Sequence, residues 1–323
     1  MQHKEYTIGS VMKKPRIAVL IPCFNESATI EQVIHDFRAS LPEATIFVYD
    51  NQSSDNSIEL AKKSGAEVKS VSNLGKGYVV RRMFADIEAD IYVMVDGDAT
   101  YDATAAKKAI YMLQNDGLDM VICVREPVAN HSFRPGHKIG NQCFTSSINF
   151  LFKQHLSDIF SGYRVFSRRF VKSFPAISNG FEIETEITVH ALQLDMPITE
   201  IKTPYRERPL GSLSKLKTIS DGLKISRTLF SLYISVRPIA VFGSLFFALF
   251  TLSVILGIPI VTDFIQTGLV PRIPTAIIVV CIGILAALCL ACGIVLDSIS
   301  RSRLETKKLW YLLFPTMRSS EIE

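Results

Sequence analysis

The stretch with the most evident chemistry is VMVDGDATYD, residues 93–102, in which Asp96 and Asp98 flank Gly97 behind an apolar run. If the run is a strand, residues two apart point to one side, so both carboxylates can address a single divalent cation, and Gly97 lets backbone come close. Hard oxygen ligands suit Mg²⁺ or Mn²⁺, which bridge a diphosphate and neutralise charge on a departing nucleotide. A DGD of this kind also occurs as an ordinary strand-to-turn junction. Two further clusters, IPCFNES (21–27) and YDNQSSD (49–55), offer Asn25, Glu26 and Asp50 as hydrogen-bonding partners for a base and ribose. Ser27, Ser53 and Asp55 equally fit caps of the helices that follow. The GKG at 75–77 lacks the GxxxxGK[ST] form of a phosphate-binding loop. It reads as a tight turn whose Lys76 approaches the nucleotide.

The elements that must hold these residues alternate. Strands are expected at 16–22, 45–50, 67–71, 91–96 and 120–124, and helices at 27–40, 55–64, 76–87 and 103–115. Strict alternation of strand and helix predicts a mostly parallel α/β sheet with helices on both faces. Ligands of such sheets sit at the carboxyl ends of the strands, where Asn25, Glu26, Asp50, Asp96 and Asp98 fall. Residues 125–137, rich in Pro, His and Arg, are expected to form a long functional loop. A helix to about 153, the segment SGYRVFSRR (161–169), a helix over 184–194, a strand over 198–203 and the loop YRERPLGSLSKL (205–216) follow.

Two uncharged apolar runs, 238–261 and 274–296, each exceed the roughly 20 residues that cross a bilayer core. Lys215, Lys217, Lys224, Arg227 and Arg237 precede the first, and Arg301, Arg303, Lys307 and Lys308 follow the second, whereas the connector holds only Arg272. The positive-inside rule then puts both flanks, and both termini, in the cytoplasm. Residues 1–15 are read as a polar tail without a secretory leader, 16–217 as the α/β domain, 218–237 as a juxtamembrane amphipathic segment and 297–323 as a cytoplasmic tail. Gly, Ala, Ser and Cys on the apolar helices are compatible with self-association into a homo-oligomer.

Composition closes several routes. A net charge of +4, with no basic block interleaved with aromatics, argues against nucleic acid. Six scattered cysteines in a reducing compartment do not predict disulfides, and the CxxC of Cys289 and Cys292 lies inside an apolar run, where small residues serve helix packing. No histidine pair has zinc-site spacing. The first strand is not followed by GxGxxG, which excludes a nicotinamide fold.

Taken in order, PCFNES, DNQSSDNS, NLGKG, VDGDATYD, SGYRVFSRR, FEIETE and YRERPLGSLSKL resemble the family 2 glycosyltransferases of GT-A fold. Within that family the chain looks like the polyprenyl-phosphate glycosyltransferases of the dolichol-phosphate mannose synthase type. The resemblance implies transfer of a sugar from a nucleotide sugar to a polyprenyl phosphate at a membrane, with inversion, using Mg²⁺ or Mn²⁺. It further implies that Pro22, Asn25, Glu26, Asp50, Lys76, Asp96 and Gly97 meet the nucleotide and that Asp96 and Asp98 serve the metal. Asp158 would lie near the acceptor, Arg125, Arg134, Arg208 and Lys215 around its phosphate, and Glu184 and Arg164 near the sugar. Asp158, Asp98 and Arg208 are the residues it makes catalytic. Asn51 stands where many members carry the second of two aspartates. A processive polysaccharide synthase would share the fold, but its QxxRW motif is missing, since the one tryptophan, Trp310, follows the second apolar run. A silent nucleotide-sugar-binding scaffold is the non-enzymatic alternative.

Overall fold

The computed structural model describes residues 14–128, 135–180, 182–208, 227, 230–231 and 233–316. It divides into two compact units, Met1–Thr218 with Lys307–Glu323, and Ile219–Thr306. The first unit is built on seven strands: β1 (Ile17–Cys23), β2 (Thr45–Asp50), β3 (Glu67–Ser70), β4 (Ile91–Met94), β5 (Met120–Pro127), β6 (Arg164–Ser167) and β7 (Ile198–Tyr205). Their order across the sheet is β3-β2-β1-β4-β6-β5-β7. All neighbours are parallel except β6, which runs antiparallel to both β4 and β5. Among the described residues before the apolar helices, the helices of this unit are α1 (Ile30–Ser40), α2 (Ser57–Lys63), α3 (Lys76–Asp86), α4 (Ala105–Asn115), α5 (Pro135–Phe152), α6 (Arg168–Ser173) and α7 (Ile183–Gln193).

Alternation along the strands divides the core in two. Ile17, Val19 and Ile21 of β1 and Ile91 and Val93 of β4 pack with Ile30, Val33, Ile34 and Phe37 of α1 and Ala106 and Ala109 of α4. On the other face Phe84, Tyr92, Phe166, Phe170 and Phe174 form a chain of ring contacts linking β4 and β6 to α3 and α6. Each side chain of this size contributes on the order of 2 kcal/mol when fully buried. Because β1 is flanked by β2 on one side and β4 on the other, the chain reverses direction across the sheet between them. This opens a crevice beyond their carboxyl ends.

Differences from the sequence reading are local. β4 stops at Met94, two residues before Asp96. β5 continues through Arg125 to Pro127, so the start of the expected loop is strand. β6 and α6, which were not anticipated as separate elements, fill SGYRVFSRR and the residues after it.

In the second unit α8 (Pro238–Thr267) and α9 (Ile273–Leu312) are apolar and long enough to cross a membrane. Pro238 occupies the first turn of α8, where no amide partner is needed, and Gly268 ends it in a left-handed conformation. The two helices meet at small residues: Ser253 Oγ donates to Val279 O (2.9 Å), and a Cβ on Gly293 would stand 2.9 Å from Phe242 Cβ. α9 outruns the apolar stretch because Arg301, Glu305, Lys307 and Lys308 are good helix formers and Arg301 pairs with Asp297 one turn away. Its end, from Lys307 on, belongs to the first unit. There Tyr311 Oη donates to Asp119 Oδ2 (2.7 Å) under the Arg169 guanidinium, and Lys307 donates to Gln193 Oε1 (3.0 Å).

Candidate active site

The crevice is floored by the turns after β1, β2 and β4. Asn25, with a left-handed φ of 53°, accepts from Ser54 N (2.8 Å), and its own amide donates to Ser53 Oγ (2.8 Å). Glu26 N donates to Ser57 Oγ (2.8 Å), and Ser27 N to Asp55 Oδ2 (3.1 Å). The serines and Asp55 thus stitch the ends of β1 and β2 together rather than simply capping the helices after them. Pro22 lies in β1 in register with Tyr49. Asp50 Oδ2 accepts from Ser53 N (3.0 Å), while its buried Oδ1 has no hydrogen-bond partner. Asn51 spans to the next loop, donating to Asn73 O (2.7 Å) and accepting from Gly75 N (2.7 Å). It acts as a clamp on the GKG turn.

Asp96 and Asp98 sit in the turn beyond β4, so strand alternation does not set their directions. Asp96 Oδ1 meets Lys76 Nζ at 2.5 Å. Its other oxygen lies against Gly162, where an added Cβ would come within 2.2 Å. The glycine demanded by close approach is therefore Gly162. Gly97, expected in that role, would give a Cβ only an ordinary 3.4 Å contact with Ile21. Asp98 Oδ2 pairs with Arg208 (2.7 Å), and its Oδ1 accepts from Thr100 Oγ1 (2.6 Å). Burial, then the neighbouring Asp96 charge, pushes the Asp98 carboxyl up, and Arg208 only partly offsets this. Burial acts on Asp96 in the same direction, but Lys76, Arg208 and Arg125 outweigh it and hold the carboxyl below its ordinary value.

Lys76 reaches a second carboxylate, Glu184 Oε1, at 2.5 Å. Burial would lower the ammonium pKa, but Asp96 and Glu184 together raise it, so Lys76 stays charged. Burial also raises Glu184, and Glu184 Oε2 is enclosed without a hydrogen-bond partner. Arg125 grips Asp158 through two parallel bonds of 2.7 and 2.8 Å. Burial opposes charge on both, yet the pairing lowers Asp158 and raises Arg125. Arg125 also lies 5.6 Å from the Tyr205 ring centre, and Tyr205 packs edge-on against Tyr101, whose hydroxyl accepts from Gly162 N (3.0 Å). The two tyrosines thus connect the acidic turn to the segment that carries Arg208.

One expected sugar contact is corrected. Arg164 is wholly buried, donating to Ile159 O (2.6 Å), Ser161 O (2.9 Å) and Thr188 Oγ1 (2.8 Å). Burial pushes it down to about 10. It braces the turn that bears Asp158 and Gly162 from inside the core, with Nη1 also against Met120 Sδ (3.5 Å). Arg134 and Lys215, like residues 1–13 and most of 218–237, lie outside the described residues.

Among the described residues no group of three His, Cys, Asp or Glu side chains converges to hold an ion alone. Asp96 and Asp98 nonetheless fit Mg²⁺ or Mn²⁺ held jointly with a diphosphate and water, the ligand mix Mg²⁺ favours. Burial first and the Asp96 charge second raise Asp98, and a cation would relieve the repulsion that makes up the second cause.

The glycosyl transferase family 2 model matches residues 18–174. The glycosyltransferase AglJ of Haloferax volcanii is 37% identical over 238 residues, covering 72% of this chain and 77% of the relative. A dolichyl-phosphate hexose transferase of the same organism is 26% identical over 214 residues, 66% of this chain and 92% of the relative. Among solved structures, Mycobacterium tuberculosis glucosyl-3-phosphoglycerate synthase in complex with Mn²⁺, UDP and glucosyl-3-phosphoglycerate superposes with a TM-score of 0.54 at 24% identity, over 69% of this chain and 80% of that one.

Proposed function

Because the chain belongs to glycosyl transferase family 2 and has a GT-A-like fold, we propose that it transfers a hexose from a UDP- or GDP-linked donor to a polyprenyl phosphate, with inversion. One observation carries the reading. Arg208 and Arg125 stand beside Asp96, Asp98 and Asp158 in a chain that also bears two helices of bilayer length. The similarity to a protein named dolichyl-phosphate hexose transferase supports the same acceptor class.

In this reading the strand ends at Pro22 and Asp50 and the turn of Asn25 and Glu26 receive base and ribose, and the unpartnered Asp50 Oδ1 accepts a hydrogen bond from them. Lys76, with the Gly97 backbone, faces the diphosphate. Asp96 and Asp98 would hold Mg²⁺ or Mn²⁺, which when bound neutralises the charge of the leaving nucleotide. Glu184, through its free Oε2, contacts a sugar hydroxyl. Arg208 and Arg125 are planar forks suited to phosphate oxygens, with Arg134 and Lys215 assigned to the same task. An oxygen of the acceptor phosphate forms the new bond to the anomeric carbon as the bond to the donor's diphosphate oxygen breaks, and the electron pair leaves with the nucleoside diphosphate. A phosphate monoester, with a second pKa of about 6, is already largely ionised at pH 7 and needs no strong base. Asp158, already tied up by Arg125, fits a positioner better than a base. The basic flanks of the hairpin favour a cell (inner) membrane setting with the catalytic unit and both termini cytoplasmic.

The test is a panel of nucleotide sugars offered to the purified full chain with a short polyprenyl phosphate and Mn²⁺, products being read by mass. One donor should give a polyprenyl-phosphate hexose, and Arg208→Ala should weaken use of the lipid while sparing donor binding. Equal transfer to a polyprenyl alcohol or a free sugar would overturn the assignment.

A further inference from the structure

Lys76 and Glu184 come from different helices, α3 and α7, and their contact depends on how those helices are spaced. A short segment, residues 176–179, lies between them and is held from both sides. Arg81, farther along α3, donates from Nε to Ala176 O (2.5 Å) and from Nη2 to Ile177 O (2.8 Å). Glu186, two residues after Glu184 on α7, accepts from Ile177 N (2.8 Å) and Ser178 N (2.7 Å). One helix thus takes the carbonyls of the segment and the other its amides. Ala176 has a φ of 46°, a left-handed conformation that a non-glycine residue keeps only when its surroundings impose it.

The held segment presses on the turn that presents Lys76. Gly77 N donates to Asn179 O (3.1 Å), a Cβ on Gly77 would lie 2.0 Å from Ser178 O, and one on Gly75 would lie 2.1 Å from Asn179 O. These are backbone contacts with no flexible atom to yield. The glycines on either side of Lys76 are therefore shaped to residues 178–179. Each helix supplies one residue to the site, Lys76 or Glu184, and one to the brace, Arg81 or Glu186.

We infer that Arg81 and Glu186 are positioning residues: by pinning residues 176–179 against Gly75 and Gly77 they hold Lys76 between Asp96 and Glu184, in register for the diphosphate of a nucleotide donor. The inference rests on the reading that a nucleoside diphosphate occupies this site. Both residues are engaged with the backbone of 176–178, so the effect of changing them passes through the turn.

The experiment uses the full chain in detergent, as wild type, Glu186→Gln, Glu186→Ala, Arg81→Lys and Arg81→Met. Calorimetry measures binding of UDP and of GDP with Mn²⁺, and hydrogen exchange follows the amides of residues 75–79. Glu186→Ala should weaken the nucleotide that wild type binds by about tenfold and speed exchange at residues 75–77, with melting within ~2 °C of wild type. Glu186→Gln and Arg81→Lys, which keep one bond, should fall between. Unchanged exchange at 75–77 in the Ala and Met variants overturns the inference, as does an affinity loss that merely tracks melting temperature. If wild type binds neither UDP nor GDP, the functional reading fails, and the exchange data still decide whether the brace sets the turn.

Discussion

Replacing Lys76 by Met tests the electrostatics of the site most directly. Its Nζ lies 2.5 Å from both Asp96 Oδ1 and Glu184 Oε1. The two oxygens are consequently no more than about 5 Å apart, and without the ammonium two carboxylates repel by roughly 3 kcal/mol at an effective dielectric of about 20. Glu184 is 6% exposed and Asp96 30%, so solvent screens only one side of the pair. Met fills the methylene space but not the charge, and a loss of about 2–3 kcal/mol in unfolding free energy is expected at pH 8. The pH dependence carries the diagnosis. Burial and Asp96 already raise the Glu184 carboxyl, and removing Lys76, which lowers it, raises it further. A carboxyl raised above its unfolded value favours the fold below the unfolded pKa and loses that advantage as pH rises through the folded one. The penalty of Lys76→Met should thus shrink as pH is lowered from 8 to a second, acidic value, and Lys76→Met/Glu184→Gln should recover most of it. Pulse proteolysis across a urea series at both pH values measures this. A loss that is equal at the two pH values, and is not rescued by Glu184→Gln, would refute the ion-triplet argument.

Two further outcomes follow from buried groups. Arg164→Met should cost about 2–4 kcal/mol of stability, because two carbonyls and the Thr188 hydroxyl lose a charged donor in the interior, and should leave donor-sugar choice unchanged; a stable variant with altered donor preference would return Arg164 to the sugar site. His190, enclosed by Phe170 and Phe174, is pushed by burial, and secondarily by Lys307, from 6.5 to about 3. It stays neutral where the unfolded chain takes up a proton, so stability should fall as pH drops below 6.5, by ~2 kcal/mol at pH 5. Urea midpoints of wild type and His190→Phe between pH 7 and pH 5 check this, and parallel slopes would remove His190 as the cause.

The parallel half of the sheet was legible because β1, β2, β4 and β5 are apolar runs separated by amphipathic helices, a pattern governed by local burial. β6 was not. It has four residues, and its identity as a strand comes from antiparallel pairing with β4 and β5, partners far away in sequence. The DGD pair was legible as acidic residues at a strand end, but their directions depend on a turn in which Ala99 is left-handed. Arg164 misleads for a related reason: charge next to SGY looks like a ligand contact, and only the fold reveals its internal acceptors. Gly162 had a signal in the sequence, a small residue just before that arginine, yet its meaning requires Asp96 to be in place beside it. The second apolar run marked where hydropathy ends, and helix propensity carries α9 sixteen residues farther, from 296 to Leu312.

Tyr311 gives the chain an unusual closure. The buried Asp119 carboxylate, which already accepts from Ser167 Oγ and Arg169, receives its last donor from a residue 192 positions later, beyond both apolar helices. In connectivity the hairpin is thus an insertion within the catalytic fold, and not a tail attached after it. Cutting the chain at residue 218 to release a soluble enzyme would leave Asp119 without the tyrosine hydroxyl and Arg169 without the ring beneath it. The first unit therefore depends on the chain returning after the inserted helices to deliver its final turn.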